Sequence, residues 1–406
     1  MLANAGSSPG PFAEMAWPPR VRVSADQILE RAIETTGCDN FGGDGFRDGL
    51  EQWIAAAQSP PDGFGSAEAF AQLCDQAVRL LANRLRVVDY ATQHSAVSRQ
   101  PIERPLFVLG LPRTGTTAVS YLLDQDPARR SLLLWEAYDT SPPAVTATLR
   151  TDPRALELLE RQKMMIAQDP SRASVHWEWA DGPTQCTELH GHDFKATTWD
   201  RAYPVPAYSS WLEDADLRSA YEYEKLVLQV LQSQAPGAWS LKMPAHAMFI
   251  DSLLAVFPDA RLVWAHRDPY RATASVLSAK SRGWSERWGR PALPIMLGYY
   301  PRQLGKHLTR MMRARERIGD ERIFDLHYSA FLRDPLAVMR ELYAWAGDEL
   351  TAEVEAAMAA WLRDNPQGKY GKYSYGLSDL GVDRQVLTPY FEEYLDTYTV
   401  APEPEK

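Results

Sequence analysis

Four residues separate Gly110 from Gly115 in Gly110-Leu111-Pro112-Arg113-Thr114-Gly115-Thr116-Thr117, directly after the apolar run Pro105 to Leu109. This is the spacing of a strand, a phosphate-wrapping loop and a helix start. Unpaired N–H groups at such a helix start lie at the positive end of the helix dipole and can cradle an anion. The position where a nucleotide triphosphatase carries its lysine is Thr116 here, and Arg113 is the nearest cation within the loop. The loop therefore suits a phosphate-like anion and does not suit hydrolysis of Mg-ATP. Lys242, Arg267 and Glu136 each follow a short apolar run, as functional side chains at strand ends do.

The elements that must position these residues can be read from hydrophobic spacing. Apolar runs at 105–110, 131–136, 239–242, 261–265 and 322–326 predict strands. Between them lie helical patterns at 116–123, 245–257, 270–279 and 335–345. Alternating strands and helices predict an α/β fold, a P-loop-type parallel sheet flanked by helices. Ahead of it, residues 23–100 form a helical section, with Ser24 as N-cap of its first helix. Residues 1–22 are rich in Gly, Ser and Pro and are expected to be flexible, as is the tail 399–406. The α/β domain spans 101–398, with a helical acceptor-binding insertion, a lid, over about 140–236.

Three stretches together carry a resemblance. The loop 110–117 resembles the 5′-phosphosulfate loop of the sulfotransferases. Arg267-Asp268-Pro269 with Ser275, eight residues beyond the arginine, resembles their 3′-phosphate element. Leu241-Lys242-Met243-Pro244-Ala245-His246 is similar to a stretch of bacterial sulfotransferases related to the tyrosylprotein enzymes. The resemblance implies the donor 3′-phosphoadenosine 5′-phosphosulfate (PAPS), the product adenosine 3′,5′-bisphosphate, and transfer to a hydroxyl or amine. It implies 5′-side contacts from Arg113, Thr114, Gly115, Thr116 and Thr117, and a 3′-phosphate held by Arg267 and Ser275. Arginine can grip a phosphate through two parallel charged hydrogen bonds.

Sulfuryl transfer, like phosphoryl transfer, asks the protein for positioning and charge stabilisation. Arg113 and Lys242 are expected to counter charge on the leaving oxygen and sulfuryl group. The tyrosylprotein enzymes use a glutamate shortly after the loop helix as base, and Glu136 is similar in place, two residues further on. His246 is the second candidate; His176, His190, His192 and Asp193 are outsiders. Lys369, Lys372 and Tyr373, in a glycine-punctuated stretch, could close over the nucleotide. No metal-ligand cluster is visible in the sequence, and no metal dependence is expected.

Aromatic residues crowd the insertion, and Trp135, Trp177, His192, Trp199 and Tyr208 are expected to line a pocket for a small apolar or aromatic acceptor. A carbohydrate or glycolipid hydroxyl is the alternative acceptor. A P-loop-type kinase and a non-catalytic nucleotide-binding protein are the alternative functions. The chain has 406 residues, 45% hydrophobic and 24% charged, and a net charge of −10, which disfavours nucleic acid as a partner. Three scattered cysteines form no disulfide framework and fit a cytoplasmic protein. No run of about eighteen apolar residues exists, so no membrane span is expected. The sequence leaves the oligomeric state open.

Overall fold

Along the central strand β1 (Leu106–Gly110), Leu106 and Val108 enter one apolar cluster while Phe107 and Leu109 enter another. Successive side chains on a strand point to opposite faces, so a strand buried throughout must be covered on both sides. The computed structural model describes residues 22–62, 64–169, 178–201, 203–366, 369 and 376–403. Of the sequence-derived expectations, those at Trp177, Lys372 and Tyr373, and the N-terminal segment before residue 22, lie outside the described residues.

Four further strands complete the sheet: β2 (Arg129–Ser131), β3 (Ala238–Lys242), β4 (Arg261–His266) and β5 (Ile323–His327). All pairings are parallel and the order is β2-β3-β1-β4-β5. Val108 is in register with Lys242, and Gly110 with Ala265. The ends of β3 and β4 therefore flank the glycine loop on its two sides. The chain leaves β1 toward β2 and β3, while β4 and β5 lie on the other side. Such a reversal opens a crevice at the carboxyl ends of the strands, where ligands bind in open α/β sheets.

One expected strand is corrected. Of the run 131–136 only Ser131 lies in the sheet, at the end of β2, and Leu134–Tyr138 is a short helix. Glu136 is the third residue of that helix, and its carboxylate accepts from the Leu133 N–H at 3.2 Å. An acid at that position satisfies an otherwise orphaned helix donor and turns the segment away from extended geometry. The helix expected at 245–257 is broken into a 3₁₀ turn, Pro244–Ala247, and an α-helix, Ile250–Val256.

The helical section is part of the main core. Its helices Ala25–Thr36, Arg47–Ala57 and Ala67–Gln93 bury Ile28, Leu50, Trp53, Leu81 and Leu85 in the cluster that also holds Phe107 and Trp264. Ser24 caps the first helix in a reciprocal box with Gln27. Trp53 packs on Phe194 and Trp199 at ring distances of 5.7 and 4.4 Å, and Arg84 pairs with buried Asp193 at 2.8 Å. These contacts fasten the section to the insertion. Of the expected tail 399–406, residues 399–403 are described, and Glu403 is tied to Arg267 and Asp268.

Candidate active site

The loop after β1 takes its shape from its two glycines. At Gly110, φ is +141° and a Cβ would lie 2.6 Å from the Ala265 carbonyl oxygen. At Gly115, φ is +86° and a Cβ would meet the Tyr328 ring at 3.1 Å. Side chains are disfavoured at both places, by backbone conformation and by space. The helix Thr116–Leu123 starts at Gly115 with no side chain capping its first turn. Its leading N–H groups suit an anion. The Thr114 hydroxyl, expected to serve a ligand, donates instead to the Leu111 carbonyl at 2.8 Å and braces the loop. That part of the expectation is corrected.

On the β4 side, Arg113 and Ser275 meet. Arg113 has φ of +70°, and its Nε–H donates to Ser275 Oγ at 3.2 Å. Ser275 lies on the helix Pro269–Trp288, whose start is capped by Asp268 through the N–H groups of Tyr270 and Arg271. Arg267, just beyond β4, donates through Nη1 to the Arg113 carbonyl. The Tyr328 ring lies 4.3 Å from its guanidinium carbon. Nε and Nη2 of Arg267 together hold the Glu403 carboxylate at 2.6 and 2.8 Å. The structure thus brings Arg113 together with Arg267 and Ser275, more than 150 positions further along the chain, around one anion-binding corner.

On the β3 side, Lys242 is 1% exposed and its ammonium donates to Glu178 Oε1 at 2.9 Å. Thr184 donates to the other Glu178 oxygen at 2.6 Å. The N–H of Met243 donates to the Val108 carbonyl at 3.1 Å, which fixes the lysine's backbone against β1 just before the loop. A buried ion pair is held by geometry and by bonds to its remaining lone pairs, and Thr184 supplies one. Sequence reading missed Glu178, because a single acid in a tryptophan-rich segment belongs to no spacing pattern. Glu403 and Tyr328 were equally invisible.

Several expected site residues belong elsewhere. Glu136 has no exposed surface; one oxygen pairs with Arg130 and the other holds the Leu133 N–H. With both oxygens engaged inside the protein, Glu136 braces the short helix and partners the buried Arg130. His246 is fully buried between the Tyr221 hydroxyl, at 2.8 Å, and the Phe107 ring. Burial, and then the charge of His190, hold its imidazole well below the ordinary range. The ring packs within the core between Tyr221 and Phe107. Trp135 packs with Leu133 and Ala180 and donates to the Leu149 carbonyl at 2.9 Å. Tyr208 donates to the Phe194 carbonyl at 2.7 Å, and Trp199 stacks on Phe194 at 4.9 Å. His192, buried beside Tyr223, is pushed down to about 3 by burial and then by Arg84. These four side chains are the insertion's own core, which corrects the expected aromatic pocket wall. Lys369 is exposed and donates to Asn365 Oδ1 at 3.1 Å.

Cys186, Glu224 and His246 bring ligand-type atoms within 4.8 Å of one another. The Cys186 thiol is pushed well above its ordinary range by burial and then by Glu224. A thiol held in that way is protonated and unreactive. The Cys186 N–H donates to the Lys242 carbonyl at 3.0 Å, so the cluster supports the lysine's backbone from behind.

A glycine loop between a buried lysine–glutamate pair and a forked arginine, at the carboxyl ends of a parallel sheet, is an arrangement suited to an anionic ligand. Residues 105–352 match the model of the sulfotransferase family, and the chain belongs to that family. It is similar to sulfotransferase STF9 from Mycobacterium avium, at 44% identity over 96% of this chain and 100% of that one, with a TM-score of 0.87. Sulfotransferase STF1 from Mycobacterium tuberculosis is 26% identical over 92% of this chain and 99% of that one, with a TM-score of 0.78. Omega-hydroxy-beta-dihydromenaquinone-9 sulfotransferase Stf3 of Mycobacterium bovis is 22% identical over 72% of this chain and 74% of its own length. The protein is a sulfotransferase. No helix among the described residues is long and apolar enough to cross a membrane.

Proposed function

We propose that this enzyme moves the sulfuryl group of PAPS to the hydroxyl of a small apolar acceptor. The observation that carries the donor reading is the Arg267 fork, which already holds an oxyanion, the Glu403 carboxylate, next to the glycine loop. A phosphate monoester presents the same paired oxygens. Arg267 and Ser275 would take the 3′-phosphate, while the loop N–H groups and Arg113 would take the 5′ side. The acceptor class is supported by Stf3, whose name specifies an omega-hydroxy dihydromenaquinone, a hydroxyl on an apolar molecule.

Lys242 and Glu178 would divide the chemistry. The acceptor oxygen forms a bond to sulfur as the bond from sulfur to the 5′-phosphate oxygen breaks. Lys242 stabilises charge developing on that leaving oxygen. Turning its N–H groups there releases a Glu178 oxygen to accept the hydroxyl proton. At rest the two form a neutral pair, which limits the desolvation cost of holding both inside.

Thermal stabilisation tests the donor reading. Adenosine 3′,5′-bisphosphate at a hundred times its dissociation constant should stabilise the fold by about 2.7 kcal/mol. The same concentration of 5′-AMP or ATP should shift the melting temperature far less. Equal shifts for bisphosphate and 5′-AMP would remove the role given to Arg267 and Ser275.

The two glutamates can be told apart by what they break. Glu178→Gln should slow single-turnover transfer about a hundredfold and leave bisphosphate affinity nearly unchanged. Glu136→Gln should lower the melting temperature, since Arg130 loses its buried charge partner. Its turnover per folded molecule should stay near wild type. The reverse pattern would return the base to Glu136.

A further inference from the structure

Beyond the helix Arg384–Thr397, the chain crosses the end of β4, where Tyr398 packs on Trp264 and His266 at ring distances of 4.9 and 5.0 Å. It then reaches the anion-binding corner. The Glu403 carboxylate accepts from Nε and Nη2 of Arg267 at 2.6 and 2.8 Å, and its own N–H donates to Asp268 Oδ2 at 2.9 Å. Asp268 divides its carboxylate, since Oδ1 accepts from the helix N–H of Tyr270 at 2.9 Å. The arginine has anchors besides the tail. Nη1 is anchored on the loop carbonyl of Arg113, and the Tyr328 ring supports the guanidinium plane. The fork is preset, and Glu403 fills it.

A carboxylate and a phosphate monoester use the same two donors of one guanidinium and cannot share them. Proline precedes Glu403 at 402 and follows it in the sequence at 404. The ring at 402 fixes its own φ, and a residue before proline is confined to extended backbone. Glu403 is therefore presented with little conformational freedom to lose.

We propose that Glu403 is a tethered competitor for the donor's 3′-phosphate, a strap that must leave Arg267 before the nucleotide seats fully. The proposal rests on the reading of Arg267 as the 3′-phosphate ligand. Apparent donor affinity is then reduced in proportion to the fraction of molecules with the strap off. Ligands lacking a 3′-phosphate do not contend with the carboxylate and bind independently of it.

Titration calorimetry on the full chain tests this, with wild type, Glu403→Gln and Glu403→Ala each titrated with adenosine 3′,5′-bisphosphate and with 5′-AMP. The Glu403 side chain is 28% exposed, so neither substitution opens the core. Both variants should bind the bisphosphate about tenfold tighter than wild type, the gain expected if the strap is engaged nine-tenths of the time. Affinity for 5′-AMP should stay the same. Unchanged or weaker bisphosphate binding, with the preference over 5′-AMP retained, overturns the strap and leaves the donor reading standing. Equal tightening for both nucleotides overturns competition at the 3′-phosphate, because the tail would then block the crevice as a whole. No preference for the bisphosphate in any of the three proteins removes the role of Arg267 and the strap with it.

Discussion

Lys242→Met should transfer sulfate about a thousandfold more slowly in a single turnover, the upper range for removing one preorganised charge-stabilising donor. Adenosine 3′,5′-bisphosphate should still bind within about threefold of wild type, because the lysine acts on charge that develops during transfer. Methionine keeps the length and apolar stem of the side chain, so the buried site is not emptied. It does remove the ammonium partner of Glu178, whose side chain is 8% exposed. A lower melting temperature is therefore expected as well. The double variant Lys242→Met/Glu178→Gln separates the two effects: it should recover stability and none of the rate. Recovery of rate along with stability would mean that Lys242 merely neutralises Glu178.

The sheet was legible because a strand covered on both faces has a continuous apolar run, as 105–110 and 262–265 do. The run 131–136 looks the same from composition. Its helical outcome depends on Glu136 reaching back to the Leu133 N–H and on Arg130 meeting that carboxylate, a tertiary arrangement that local spacing does not encode. The anion-binding corner was legible for a different reason. A glycine loop and an arginine after a strand are conformational requirements, and they leave marks in the sequence wherever the fold imposes them. The proposed base was not legible, because a carboxylate becomes one only through the side chain it faces. Glu178 faces Lys242 across 64 positions of sequence. The aromatic segment misled for a related reason: tryptophans that wall a pocket and tryptophans that bind a helical section to a lid have the same composition. Trp53 packed against Trp199 is the second case.

Arg267→Ala should weaken adenosine 3′,5′-bisphosphate binding by about a thousandfold, within the 2–5 kcal/mol expected on truncating one partner of a hydrogen-bonded charge pair. Affinity for 5′-AMP should hardly change, so the two nucleotides should converge. Arg267→Lys should recover only part of the loss, since an ammonium restores the charge without the planar fork. The variant also frees Glu403, whose carboxylate would remain near the place where the phosphate arrives. Some of the lost affinity would then be repulsion, with no part of the arginine's grip in it. Removing that carboxylate in Arg267→Ala/Glu403→Gln measures the repulsive share, because contacting residues are not additive. If Arg267→Ala binds the bisphosphate as tightly as wild type, the fork holds the tail alone and the 3′-phosphate has another ligand. If affinity falls equally for both nucleotides, the substitution has instead collapsed the Arg113 loop that Arg267 supports.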